Sequence, residues 1–328
     1  MPHTRLLAAE EINGTIGGRM ELSKITTPRS RPLRFVTTFH DADRITRTTV
    51  VRIVHAFSDP GLTDRNRRAK AVLANVLKSW PPGLRTPYLI TAGGFLSFKW
   101  PRKVTVADPS KPDPKDIQLL TEAAEKACRD FLTPTLRRRL AKVADYITLG
   151  ADSERKADDD GKRRTAEFVL LFDLHSSRVW ITGKSYPGVQ ERLLVRMNDL
   201  SRNFVRISGD RVLLLGCHDL NMFSNRAFRN CDKDGWRAKR MKQIRKMTLR
   251  FRPNVVLQHP HRTQSPHAWG TALGGLKHLL HEDGVSDFTF AGAGRWFDTK
   301  TKPTPPLESC LSSTALGNVG TAVVRVSK

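Results

Sequence analysis

The stretch "RVLLLGCHDLNMF", residues 211–223, holds five residues suited to a buried strand, Arg211 to Leu215, followed at once by Gly216, Cys217, His218 and Asp219. A short apolar run ended by a glycine reads as a strand covered on both faces, and such strands belong to sheets with helices packed outside. At its carboxyl end this strand delivers a thiol, an imidazole and a carboxylate in succession. Three readings fit those residues: Cys217 as a nucleophile, His218 and Asp219 as metal ligands, or a plain strand running into a polar turn.

Outward from this point, strand-like and helix-like segments alternate. The segments "LRFVTTF" (33–39), "PYLITAGGFLSFKW" (87–100, interrupted at Gly93 and Gly94), "ADYITLGADS" (144–153), "NVVLQHPH" (254–261) and "DFTFAGAG" (287–294) read as strands, with "TAVVRV" (321–326) a last one. "AEFVLLFDLHSSRVWITGKS" (166–185) reads as a hairpin turning near Ser176 and Ser177. Apolar residues at helical spacing mark 63–80, 115–143 with a break at Pro134, the basic run 235–250, and 268–282. This alternation predicts an α/β fold with helices outside the sheets. Residues 1–32 are turn-rich and polar and read as an irregular arm, leaving 33–328 as a single domain.

The bulk composition narrows the function classes. The chain has 328 residues, 39% hydrophobic and 27% charged, as expected for a globular protein. No apolar run is long enough to span a bilayer, and the first fifteen residues lack a secretory pattern, so a cytoplasmic protein without a membrane partner is expected. Cys128, Cys217, Cys231 and Cys310 are far apart, with no C-x-x-C pair, which argues against a zinc knuckle and a disulfide scaffold. The charge balance is strongly basic, 56 Lys and Arg against 32 Asp and Glu. Part of the excess lies in the acid-free run 235–252, with Arg237, Lys239, Arg240, Lys242, Arg245 and Lys246 as candidate contacts to nucleic acid or an acidic partner. A solvated helix face is the plainer reading of the same residues. Neither G-x-G-x-x-G nor a P-loop pattern occurs.

Two further patterns concern the strand ends. Asp173-x-His175, His218-Asp219 and His259-x-His261 resemble the ligand pairs of calcineurin-like metallophosphoesterases, but no G-D-x-x-D follows the first pair to supply a bridging aspartate. Lys184 closes the strand "VWITGKS". If that strand end adjoins the end of 211–217, its ammonium would stabilise a Cys217 thiolate and a developing oxyanion.

The order of the pieces from about 143 to 270 resembles the nitrilase superfamily of carbon–nitrogen hydrolases. The matching features are a strand ending in small residues ("ADYITLGADS") and a strand pair leading to Lys184. A loop glutamate in "YPGVQER" (Glu191) follows, then a strand ending near C-x-D ("GCHDLNMF") and a later apolar strand before a loop tryptophan, Trp269. The resemblance implies an α-β-β-α sandwich and hydrolysis of a non-peptide C–N bond in a small-molecule amide. It implies Cys217 as nucleophile, Lys184 as the oxyanion-stabilising lysine with a backbone N–H, and Glu191 as a secondary glutamate. It calls for no metal or cofactor, and it implies a homo-oligomer. The family's general base is a glutamate at the end of an early strand; here the matching stretch reads Ala92-Gly93-Gly94, with Gly93 in its place. Either another group substitutes, with Glu191, His218 and Asp219 as candidates, or the chain is an inactive descendant of such an enzyme. A basic scaffold binding nucleic acid or an acidic partner and, third, a metal-dependent phosphoesterase remain as alternatives.

Overall fold

Side chains along residues 212–215 point alternately to two different cores. Val212 and Leu214 pack with Tyr88, Ile90, Val255 and Leu257, whereas Leu213 and Leu215 pack with Met241, Ile244 and Leu276. A strand with a period of two and two apolar faces must lie inside a layered structure. The computed structural model describes residues 34–40, 49–57, 64–154, 156–157, 163–188, 191–263, 265–297 and 304–327. The expected arm, 1–32, lies outside the described residues.

In chain order the strands are β1 (Arg34–His40), β2 (Val50–Ala56), β3 (Thr86–Ile90), β4 (Leu96–Phe98), β5 (Ala144–Ser153), β6 (Lys156–Ala157), β7 (Arg163–Arg164), β8 (Glu167–Asp173) and β9 (Val179–Gly183). They continue as β10 (Phe204–Ile207), β11 (Asp210–Leu215), β12 (Val255–Gln258), β13 (Thr289–Gly292), β14 (Arg295–Trp296), β15 (Ala315–Leu316) and β16 (Val319–Ser327). The helices are α1 (Arg65–Lys78), α2 (Pro114–Phe131), α3 (Pro134–Leu140), α4 (Asn225–Arg229), α5 (Trp236–Phe251), α6 (Pro266–Glu282) and α7 (Leu307–Ser312).

Among the described residues the larger sheet has the order β1-β16-β2-β3-β5-β8-β9, with β14 on β2 and β4 on β5, and the smaller has the order β10-β11-β12-β13-β15. The centre of each sheet is parallel, β16-β2-β3-β5 in one and β11-β12-β13 in the other. Helices α1 and α2 cover the outer face of the larger sheet through Val72, Leu73, Leu120 and Phe131. Helices α5 and α6 cover the outer face of the smaller one, and the two inner faces meet in a third core. The chain is therefore an α/β protein, with two sheets packed face to face between outer helices in an α-β-β-α sandwich.

Local chemistry explains most boundaries. Helices α1, α2 and α3 start at Asp64, Asp113 and Thr133, whose side chains accept backbone N–H groups of their first turns. Pro134 sits just inside the start of α3, where its missing N–H costs nothing, so the expected break is a helix start. Several strands were not expected from the sequence, among them β2, inside the larger sheet, and β10, which pairs antiparallel with β11 through a two-residue turn, Ser208 and Gly209, both at positive φ (49° and 88°). Trp269, helical by spacing although the resemblance put it in a loop, lies in the first turn of α6 and is buried. All four cysteines are free.

Candidate functional site

The carboxyl ends of parallel strands from both sheets open at one end of the sandwich, the usual place for a ligand crevice in α/β proteins. A cleft of about 1260 Å³ lies there, lined by Cys217, Glu167, Glu191, His218, His261 and Arg295 among others. Cys217 follows β11 by two residues and is 7% exposed. Lys184 directly follows β9 and is buried, 1% exposed.

Lys184 joins two carboxylates. Its Nζ lies 2.5 Å from Glu191 Oε1 and 3.1 Å from Glu167 Oε2. The hairpin fixes the second contact, because β8 and β9 pair antiparallel and the Lys184 N–H donates to Glu167 O at 3.0 Å. The other oxygen of Glu191 accepts from the Gly188 N–H and lies 3.1 Å from His218 Nδ1. Burial alone would lower the Lys184 pKa, but Glu167, Cys217 and Glu191 raise it above the usual lysine value, so the ammonium is permanent. Glu191 is held below the usual carboxylate range: burial opposes this, and His218 and Lys184 outweigh it.

A second group stands on the other side of Cys217. The His261 N–H donates to Cys217 Sγ at 3.3 Å, and the His261 Nε2 lies 3.0 Å from Asp152 Oδ2. Asp152 Oδ2 also accepts from Arg65 at 2.8 Å. His261 Nδ1 faces Glu167 Oε2 at 3.8 Å. Burial would lower the His261 pKa, yet Asp152, Glu167 and Cys217 raise it well above the ordinary histidine value. For the Cys217 thiol the balance is reversed. Burial would raise it, and the charge and hydrogen bond of His261, with His218 and Lys184, bring it below an ordinary cysteine. Burial pushes the Glu167 carboxyl up, with Asp152 and Glu191 adding to the push against His261 and Lys184.

Gly93 and Gly94, past the end of β3, form the floor under this group. A Cβ on Gly93 would collide with His259 O and lie 3.2 Å from His261 Nδ1. Gly94 has φ +59°, and a Cβ there would collide with Asp152 Oδ2 and lie 3.0 Å from His261 Nε2. Position 93 thus has no room for a side chain. His261 and Asp152 occupy the neighbouring space.

Of the residues named from sequence, Cys217, Lys184, Glu191 and His218 converge. Asp219 does not face the cleft: it is fully buried, with Oδ1 accepting from the N–H of Ser185 and Tyr186 and from Ser185 Oγ, and Oδ2 from the Gly216 N–H. It anchors the turn that presents Cys217 and is not turned toward the cleft. The pairs considered as metal ligands do not assemble. Asp173 caps its own turn through His175 N–H and Ser176, at the far end of β8 from Glu167. His259 is buried between Leu215 O and Thr148 Oγ1. The ligand atoms of Asp152, Glu167 and His261 do lie within 4.8 Å of one another, a spacing a cation would accept. Lys184 and Arg65 already supply positive charge to those carboxylates, so the donor set is engaged as an ion-pair cluster.

The basic run is only partly a surface feature. Arg240 is buried and donates to Met197 O and Asn198 O, Arg245 donates to Met222 O and Phe223 O, and Arg237 donates to Pro187 O. These arginines tie α5 to the loops beside the cleft, while Lys239, Lys242 and Lys246 are exposed. Among the described residues no helix is long and apolar enough to cross a membrane.

Sequence reasoning missed Glu167 and Asp152, and it considered His261 only as a metal ligand. The hairpin carried the signal for Glu167: with a turn at residues 175–176, counting back from Lys184 across the strands arrives at Glu167. Asp152 pairs directly with Glu167 across β5 and β8, a long-range relation no local pattern reveals.

No family model matches the sequence, and no curated protein matches it either. Solved structures of similar shape include an amidase from Nesterenkonia sp. AN1, 16% identical over 75% of this chain and 78% of that one, with a TM-score of 0.41. A carbon–nitrogen hydrolase from Helicobacter pylori G27 is 11% identical over 84% of this chain and 80% of its own, with a TM-score of 0.43. A CN-hydrolase superfamily protein from Xanthomonas campestris is 11% identical over 90% and 91%, with a TM-score of 0.41.

Proposed function

We propose that the protein is a divergent carbon–nitrogen hydrolase that cleaves an amide bond of a small molecule through Cys217. The observation that carries this reading is the convergence of a buried thiol with lowered pKa on a buried, permanently charged lysine held by two carboxylates. A thiolate attacks an amide carbon, and the carbonyl electron pair moves to oxygen. The Lys184 ammonium is the fixed positive charge that meets that oxyanion in a site of low dielectric. Glu167 and Glu191 hold Lys184 in position; Glu191 in turn is fixed by the Gly188 N–H and His218. Collapse of the tetrahedral species expels the nitrogen, and water releases the acyl group from sulfur.

The experiment is release of ammonia or amine from a panel of small aliphatic and aromatic amides by the wild type and by Cys217→Ala. Hydrolysis that disappears in the variant supports the reading. Hydrolysis that survives it removes Cys217 from the chemistry.

A further inference from the structure

Amide cleavage needs a proton on the departing nitrogen, and hydrolysis of the thioester needs one taken from water. The usual carboxylate cannot come from position 93, because the backbone of His259 leaves no room there. We propose that His261, oriented by Asp152, performs both transfers, in the space bounded by the two glycines. This rests on the reading of Cys217 as the nucleophile.

Geometry carries the assignment. The backbone N–H of His261 touches Cys217 Sγ at 3.3 Å, which ties the position of its Cα to the thiol. Asp152 fixes the ring through Nε2 at 3.0 Å, so Nε2 carries a proton and Nδ1 is the nitrogen turned elsewhere. Nδ1 lies 3.8 Å from Glu167 Oε2, beyond hydrogen-bond length, and both residues line the cleft. Gly93 and Gly94 are the two positions whose side chains would displace this ring or its carboxylate. Glu167 is the competing candidate, but its carboxylate is held at 3.1 Å by the Lys184 ammonium. His218 is a second competitor, with Nδ1 on Glu191 at 3.1 Å; the backbone contact to Cys217 Sγ belongs to His261, and the variants below separate the two histidines.

The charged surroundings are complete on all sides. His261 faces Asp152 of β5, Glu167 of β8 and Cys217 after β11, with Arg65 of α1 and Arg295 of β14 acting on Asp152. Cys217 faces His261, His218 and Lys184. In the reactive form of the proposed pair, Cys217 is a thiolate and His261 an imidazolium. Sulfur bonds to the carbonyl carbon, and the C=O pair moves to oxygen. As the C–N bond breaks, nitrogen takes the His261 proton and leaves as amine. Neutral His261 then accepts a proton from water while the hydroxyl bonds to the thioester carbon. The C–S bond breaks, thiolate and imidazolium return, and the carboxylic acid departs.

The test is the rate of Cys217 alkylation by iodoacetamide, followed by intact mass on the full chain from about pH 5 to pH 9. Wild type should react at pH values where a free thiol, with pKa about 8.5, is almost wholly protonated. His261→Gln should move the profile up by a unit or more and slow the reaction near pH 6 at least tenfold. Asp152→Asn should move it the same way by less, and His218→Gln, whose charge also acts on Cys217, should move it by less than His261→Gln does. A wild-type profile with a single inflection near that of a free thiol overturns the proposal without any variant. So does a profile that ignores His261→Gln and follows Glu167→Gln or His218→Gln. If Cys217 reacts no faster than Cys231 at any pH, the nucleophile reading itself fails; a reactive Cys217 indifferent to His261 sinks only the present inference.

Discussion

Asp152 and Glu167 stand directly opposite each other in the β5–β8 ladder, and the His261 ring lies between their carboxylates, 3.0 Å from one and 3.8 Å from the other. Like charges paired across strands destabilise a sheet. Here His261, Arg65 and Lys184 bring the positive charge that makes the pairing tolerable. The chemistry of the cleft and the stability of this corner are therefore the same ion-pair cluster, and substitutions in it should affect both.

Lys184→Met is the sharpest case. It leaves Glu167 and Glu191 facing a buried apolar side chain, and breaking a buried pair from one side costs roughly 3–5 kcal/mol. The variant should unfold at markedly lower urea concentration than wild type at neutral pH. The difference should shrink on acidification, as the stranded carboxylates become protonated. Any residual amide hydrolysis should fall about 10²–10³-fold, the loss typical of one oxyanion donor. A variant as stable and as active as wild type would detach Lys184 from both roles.

Gly93→Glu restores a carboxylate at the matched position, and simple homology would have it raise activity. The structure gives the opposite expectation. Its Cβ meets the His259 carbonyl, and its side chain must displace the His261 ring. Alkylation of Cys217 at pH 6 should slow and amide hydrolysis should decrease. A gain in turnover by a folded Gly93→Glu protein would refute this packing.

Asp219→Ala tests the anchor beneath Cys217. Removing that carboxylate orphans the N–H groups of Gly216, Ser185 and Tyr186 together with the Ser185 hydroxyl. Each unsatisfied buried donor costs about 1–3 kcal/mol before relaxation, so a total loss of roughly 3–5 kcal/mol is expected. Denaturant melts read this directly. Chelators should have no effect on wild type, as they would if Asp219 were a metal ligand.

His259 predicts a pH dependence of stability. Burial lowers its pKa to about 4, and Leu215 O opposes the shift only in part. The unfolded chain protonates near pH 6.5, the folded one only near 4, so the unfolded state binds the extra proton between them. The contribution is full above pH 6.5 and is lost as pH falls towards 4, amounting to about 3 kcal/mol by linkage. Urea midpoints at pH 7 and pH 4.5 should differ more for wild type than for His259→Gln. Equal differences would show that His259 is not the buried neutral group.

The layered architecture was legible because its strands are short and strongly apolar and its helices are periodic and capped. "ADYITLGADS" coincides with β5, residue for residue. Residues 204–207 were left unread because β10 is short and partly polar, and only the Ser208-Gly209 turn announced it; the apolar run of β2 was left unread as well. Cys217, Lys184 and Glu191 were readable because each stands at a strand end or in a loop of recognisable order. Asp152 and His261 were not, since their meeting depends on the two sheets closing face to face, a relation between residues 109 positions apart. The basic run looked uniform in sequence, yet the buried anchoring of Arg240 only emerges from how α5 packs.

The most direct measurement is competitive alkylation of the intact protein by iodoacetamide near neutral pH, with the modified cysteines identified by peptide mass. Cys217 should be labelled first and fastest, well ahead of Cys128, Cys231 and Cys310, and the labelled protein should lose amide hydrolysis in proportion. Labelling of the half-exposed Cys231 ahead of Cys217, or full labelling of Cys217 with activity intact, would contradict a cysteine-based carbon–nitrogen hydrolase.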